Sequence, residues 1–395
     1  MSVKRPAWMA RPAWVAGLVT LIVAGAATAY ATAANRLPST VPFGSCGVSG
    51  RTAPSLPKDA RISLPDPHSR GVRAVAWCAN GRFLAVADGN GQAYVWSVAT
   101  HKMVGALTDP QSRGVNAVAI RPNGTLLATG DANGHLYLWR RGVSRPRRLT
   151  DRASRGVRDL VFTPYGRYLA DADGNGRTFI WSMARHKTIA TLRDPGSRGV
   201  NAVAIRLDVK VMAAADANGR CYVWSLTKDK VLSVLQDPDS RGVRAVAFSR
   251  DGRTLATGDA NGHVYLWQPG TTGRPRVLAD PRSSGVLSVS FTPGGRYLAA
   301  ADADGRVYVW DLTSDKIVEL LADPSSQGVR AVAFSRSGRL MAAGDGNGRT
   351  YLSDTTNIGI RAVLAAAKAG LKGRRLSQQG SESAGVLGNL GNRDS

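Results

Sequence analysis

DPDSRGVRAVAFSRDGRTLATGDANGHVYLW, running from Asp237 to Trp267, is written with small changes seven times along the 395-residue chain. The Gly-Val pair inside it begins at Gly71, Gly114, Gly156, Gly199, Gly242, Gly285 and Gly328, so successive copies start 43, 42, 43, 43, 43 and 43 residues apart. In the quoted copy Val243 to Ser249 alternates around small alanines, Arg250-Asp251-Gly252 makes a turn, and Thr254 to Asp259 reads as a second strand. Asn261-Gly262 marks a hairpin, because both residues tolerate positive φ. His263 to Trp267 is a third strand, with Val264 and Leu266 on one face and Tyr265 and Trp267 on the other. A fourth runs through Arg276-Val277-Leu278 to Asp280-Pro281. Four short strands at this period predict an all-β fold built from propeller blades.

The segment VRAVAFSRDGRTLATGDANGHVYLW resembles the second half of a WD repeat, and the likeness covers residues 59–355. The resemblance implies a seven-bladed β-propeller of four-stranded blades that binds partners, with no catalysis and no cofactor. The ring's closure is written at the two ends of the array. The last copy stops after Tyr351-Leu352-Ser353-Asp354, while Arg61-Ile62-Ser63-Leu64-Pro65-Asp66-Pro67 stands ahead of the first Gly-Val. The N-terminal piece is therefore expected to supply the outer strand of the seventh blade, which removes two free edges. The chain also departs from the family. Ser-Arg-Gly replaces its Gly-His dipeptide, and Ser353 replaces the third-strand tryptophan present as Trp96, Trp139, Trp181, Trp224, Trp267 and Trp310. The family's loop aspartate is mostly asparagine (Asn90, Asn133, Asn175, Asn218, Asn261, Asn347), with Asp304 the exception.

Net charge is +24, from 42 Arg and 10 Lys against 26 Asp and 2 Glu. Aspartate suits turns, where its short carboxylate accepts from nearby backbone N–H groups. Arginine in company with abundant alanine and glycine is what GC-rich coding produces, so the charge is discounted as a sign of nucleic-acid binding. Cys46, Cys78 and Cys221 share no repeated position and no metal-binding spacing, so neither a disulfide nor a zinc site is expected, and Cys221 reads as a small core residue.

Lys4, Arg5 and Arg11 precede an uncharged stretch, AWVAGLVTLIVAGAATAYATAA, over residues 13–34. Twenty-two residues at helical rise can cross a bilayer core of about 30 Å. Residues 1–12 then read as a cytoplasmic basic end and 13–34 as a transmembrane signal anchor. The competing reading is a signal peptide cut after a small-x-small motif, which would leave a secreted protein. Both place the repeats outside the cytoplasm. Residues 35–58, rich in Pro, Ser and Gly, read as a linker, and 356–395 as a short helix and a disordered tail.

Three repeated polar sets converge on the face formed by the loops before the first strand and after the second. Asp88, Asp131, Asp173, Asp216, Asp259, Asp302 and Asp345 flank the hairpin turns, and Arg70, Arg113, Arg155, Arg198 and Arg241 lie in the Ser-Arg-Gly triplets. These two sets are expected to form a structural ring of ion pairs, since the Asp-x-Asn-Gly run lacks the later ligands of a calcium loop. The third set follows each Gly-Val: Arg73, Asn116, Arg158, Asn201, Arg244, Leu287 and Arg330. It varies while its surroundings stay fixed, and it is expected at the channel mouth, where four arginines favour an acidic protein or peptide, or an anionic envelope polymer. No catalytic or metal constellation stands out, so a monomeric scaffold for protein–protein interaction at the outer side of the membrane is expected. The alternative is a propeller lyase or hydrolase acting on an envelope component.

Overall fold

The computed structural model describes residues 61–356, apart from 111, 151–153, 239, 271–272, 280–281 and 323–325, together with Cys46, Leu56 and Ile358. The expected anchor, most of the linker and the C-terminal tail lie outside the described residues. Among those described, no helix is long and apolar enough to cross a membrane.

The strands form seven antiparallel sheets of four, and six of these are simple meanders of consecutive strands. The seventh is assembled from both ends of the array. Arg61–Pro65 pairs with Arg349–Asp354, Leu64 opposite Thr350, and completes the sheet of Val329–Phe334 and Leu340–Asp345. The expected closure is therefore observed. We number blades by their first strands: Val72–Trp77 opens the first and Val329–Phe334 the seventh.

Alternation within strands lets each blade bury both faces. In the fifth, Val264 and Leu266 pack with Val286 and Val289 of the sixth, while Tyr265 and Trp267 pack with Val211, Cys221 and Val223 of the fourth. Cys221 is a buried free thiol, as expected of a core residue. Alanine and glycine dominate the second strands because the next blade packs against them: a Cβ added at Gly258 would lie 2.5 Å from Val286 Cγ1. The Gly-Val glycine ahead of each first strand meets backbone instead: at Gly242 φ is 124°, and an added Cβ would lie 3.1 Å from the Ala217 carbonyl oxygen of the preceding blade.

The cysteine expectation fails. Cys46 and Cys78 form a disulfide with a Cα–Cα distance of 5.6 Å, both sulfurs buried in the core between the first two blades. The bond joins the linker to the first turn of the first blade. Leu56, also in the linker, is buried against Leu64, Trp96 and Val98.

Candidate functional site

The third polar set owes its position to a backbone irregularity. In all seven blades the first strand slips register between its first and third residues, as between Val243 and Ala245. The residue between them is the extra one of a β-bulge, released from pairing and re-aimed. Those residues are Arg73, Asn116, Arg158, Asn201, Arg244, Leu287 and Arg330, and all seven line one cavity of about 390 Å³ along the ring axis. Sequence comparison of the repeats located the set; the bulge that turns it into the channel carries no sequence mark.

Within the set the two polar residue types do different work. Asn116 donates to the Val157 carbonyl (3.1 Å) and Asn201 to the Val243 carbonyl (2.7 Å), so each asparagine ties its blade to the next. The arginines are the charged lining. Arg158 Nη1 donates to Asn201 Oδ1 at 2.6 Å, and Arg73, Arg158 and Arg244 are exposed. Arg330 is half-buried, and burial followed by the Arg73 guanidinium lowers its proton affinity, which shows cation facing cation. Asp159 lies deeper in the channel. Its Oδ2 accepts from the Val203 N–H (2.9 Å), and burial pushes its carboxyl up to about 6. The channel therefore presents net positive charge.

The aspartate ring is fully buried, but arginine side chains do not hold it. None of the ion pairs among the described residues joins a Ser-Arg-Gly arginine to a ring aspartate. Arg70, Arg113, Arg155, Arg198 and Arg241 project to solvent. The hydroxyl of the same triplet does the holding: Ser69 bonds Asp88, Ser154 Asp173, Ser197 Asp216, Ser240 Asp259 and Ser283 Asp302. Backbone N–H groups complete the site. Asp88 Oδ1 accepts from Arg70 N (2.9 Å) and Asn90 N (2.8 Å). In the second blade His135 Nδ1 stands 3.2 Å from Asp131 instead, and Asp345 takes the N–H groups of Asn347 and Arg349. This ring pins loops.

Four stretches of the chain, residues 62–97, 102–140, 229–268 and 275–311, match the family model described as WD domain, G-beta repeat. With seven closed four-stranded blades around them, the assignment follows. The chain is a WD40-repeat propeller. None of the curated proteins compared with it matches. WD40 propellers typically bind proteins as non-enzymatic scaffolds, and among the described residues no group of three or more His, Cys, Asp or Glu could hold a metal ion.

This WD40 propeller also contains a polar network that repeat reading missed. Asp66, Asp109, Asp194 and Asp237, the described aspartates of the Asp-Pro pairs, are buried, and third-strand tryptophans point at them. Trp96 Nε1 donates directly to Asp66 (3.0 Å) and Trp224 Nε1 to Asp194 (2.7 Å). Where threonine occupies the second strand it relays: Trp139 donates to Thr129, which donates to Asp109, and Trp267 to Thr257 to Asp237. The joint recurrence of Asp-Pro and tryptophan was the available signal. Burial raises Asp109, Asp194 and Asp237 to about 7, and Asp66 well above its usual value.

A pH dependence follows. The folded chain holds these protons up to about pH 7, whereas the unfolded chain releases them near pH 4. Between those values the folded state binds more protons, so stability falls as pH rises. Asp311, held at about 2 by Arg296, limits the gain on the acid side, since its stabilisation is lost only below about pH 4. Thermal melts should give a higher Tm at pH 5 than at pH 8, and Asp109→Asn/Asp194→Asn/Asp237→Asn should flatten the difference. A parent Tm that rises toward pH 8 contradicts this.

Proposed function

We propose that the chain is a non-catalytic scaffold whose channel mouth captures an acidic peptide segment of a protein partner. The observation that carries this is the concentration of four arginines on one bulged position that the fold also fills with Asn or Leu, all lining one cavity. A position that tolerates three chemistries is not under packing control. Carboxylates entering this channel would meet guanidinium groups suited to bidentate hydrogen bonds. The proposal includes a membrane-tethered, extracytoplasmic propeller. The apolar stretch at 13–34 supports that reading, as does the Cys46–Cys78 disulfide, a bond that persists in oxidising compartments and is rare in the cytosol.

The test uses Arg73→Asn/Arg158→Asn/Arg244→Asn/Arg330→Asn and a fluorescent oligo-aspartate peptide. The substitutions at the exposed Arg73, Arg158 and Arg244 should each change stability by no more than about 0.5 kcal/mol, and the one at half-buried Arg330, which relieves cation–cation repulsion, should not destabilise. Removing four cations should weaken the peptide by at least about tenfold in anisotropy titrations at low salt, given the strength of charge-assisted pairs. Unchanged affinity moves the site elsewhere, and a failure to fold makes these arginines structural.

A further inference from the structure

The meander sorts the inter-strand segments onto opposite ends of the ring. Segments joining second to third strands and fourth to first strands form the aspartate face; those joining first to second and third to fourth form the other, here the turn face. Charge is divided unequally between them. The aspartate-face segments hold 7 Lys or Arg against 9 Asp or Glu, whereas the turn-face segments hold 15 against 4. The loop charge of the propeller is therefore concentrated on one face, opposite the channel mouth.

The exposed large apolar side chains that lie in loops rather than in strands follow the same division. Val143, Tyr165 and Leu207 project from turn-face segments of the second, third and fourth blades, with 42%, 78% and 50% of their surface exposed. Among the described residues no aspartate-face loop exposes a large apolar side chain. Arg141 and Arg145 flank Val143 in its segment and Arg167 follows Tyr165 by two residues, and all three are exposed, while beside Leu207 the Arg206 guanidinium pairs with Asp208. The combination discriminates between partners. Nucleic acid takes cations and stacking aromatics but offers nothing to aliphatic tips such as Val143 and Leu207, while a lipid surface takes cations at its headgroups and amphipathic or aliphatic tips just beneath them.

The linker is pinned on this face at Cys46. Cys78, which holds Cys46, is the first residue of a turn-face segment, 78–82. Only residues 35–45 separate the apolar stretch from Cys46, a reach of about 40 Å at most. On the anchor reading, which this one argument shares, a tether pinned here cannot hold the turn face far from the bilayer.

We propose that the turn face docks on anionic lipid headgroups, with Val143, Tyr165 and Leu207 entering the interface, and so presents the channel mouth away from the membrane. The test is hydrogen–deuterium exchange by mass spectrometry on the full chain in nanodiscs of phosphatidylcholine, with or without phosphatidylglycerol. Slower exchange over 141–146, 163–167 and 206–210 is expected only with phosphatidylglycerol, and it should fade as salt is raised. Arg141→Gln/Arg145→Gln/Arg167→Gln should reduce the protection by about a hundredfold, at roughly 1 kcal/mol per basic residue. Val143→Ser/Tyr165→Ser/Leu207→Ser should also reduce it, while the channel-mouth quadruple variant should not. Equal exchange in the two lipids, or protection on the aspartate face, overturns the proposal. So does equal protection by dextran sulfate that the apolar triple variant leaves intact. Loss of the chain from nanodiscs on gel filtration in high salt would count against the anchor alone, and the same loops would then be read with the chain added to phosphatidylglycerol vesicles.

Discussion

Replacing the Arg61–Pro65 strand with a Gly-Ser segment of equal length is expected to cost at least about 5 kcal/mol, comparable with the whole stability of many domains. The strand contributes Leu64, which is fully buried, and Ile62, packed on the same cluster. Arg61 also donates to the Ala322 carbonyl of the sixth blade at 3.1 Å and lies over the Tyr351 ring. Without the strand, Arg349–Asp354 becomes a free edge carrying unpaired N–H and C=O groups, open to pairing with another copy. The expected result is a large fall in Tm with aggregation on gel filtration. Leu64→Ala gives a graded version, about 2 to 5 kcal/mol for a fully buried leucine. A Gly-Ser variant that melts like the parent and stays monomeric would show that the ring does not depend on this closure.

That closure was legible because its evidence is one-dimensional: a piece missing from one end of the array stands at the other. The blades were legible for the same reason, since each strand and turn repeats its local chemistry at a fixed period. The disulfide was not, because Cys46 and Cys78 belong to no repeat and meet only once the linker folds back on the first turn. Position within a strand was also hidden. Arg244 reads as an ordinary alternating residue, and only the slipped register shows that it is the bulged one aimed into the channel. The Ser-Arg-Gly triplet misled for an electrostatic reason. Arginines and aspartates recurring on one face suggest ion pairs, but which side chain points inward is decided by the glycine. At positive φ, Gly199 turns the chain so that its own N–H reaches Ser197 Oγ (2.9 Å) and the hydroxyl faces the buried carboxylate.

Asp216 separates the two views of the ring. Its carboxylate bonds the Ser197 hydroxyl and accepts from Arg198 N (3.1 Å) and Asn218 N (2.8 Å), with no exposed surface. Asp216→Ala removes the acceptor and leaves buried donors unsatisfied, each at about 1 to 3 kcal/mol, so a total of about 3 kcal/mol or more is expected. Ser197→Ala should cost about 1 to 3 kcal/mol, as the bond it donates to Asp216 and the one it accepts from Gly199 N are both lost. Arg198→Ala should change stability by no more than about 0.5 kcal/mol, because its contribution comes through the backbone N–H that alanine retains. Urea unfolding of the single and double variants measures these differences. Ser197 and Asp216 should couple strongly in the double-mutant cycle, while Arg198 and Asp216 should add independently. An Arg198→Ala variant as unstable as Ser197→Ala, with coupling to Asp216, would restore the ion pair and with it the reading that this face is held together by charge. Near-neutral Arg198→Ala leaves the exposed arginines without a folding role.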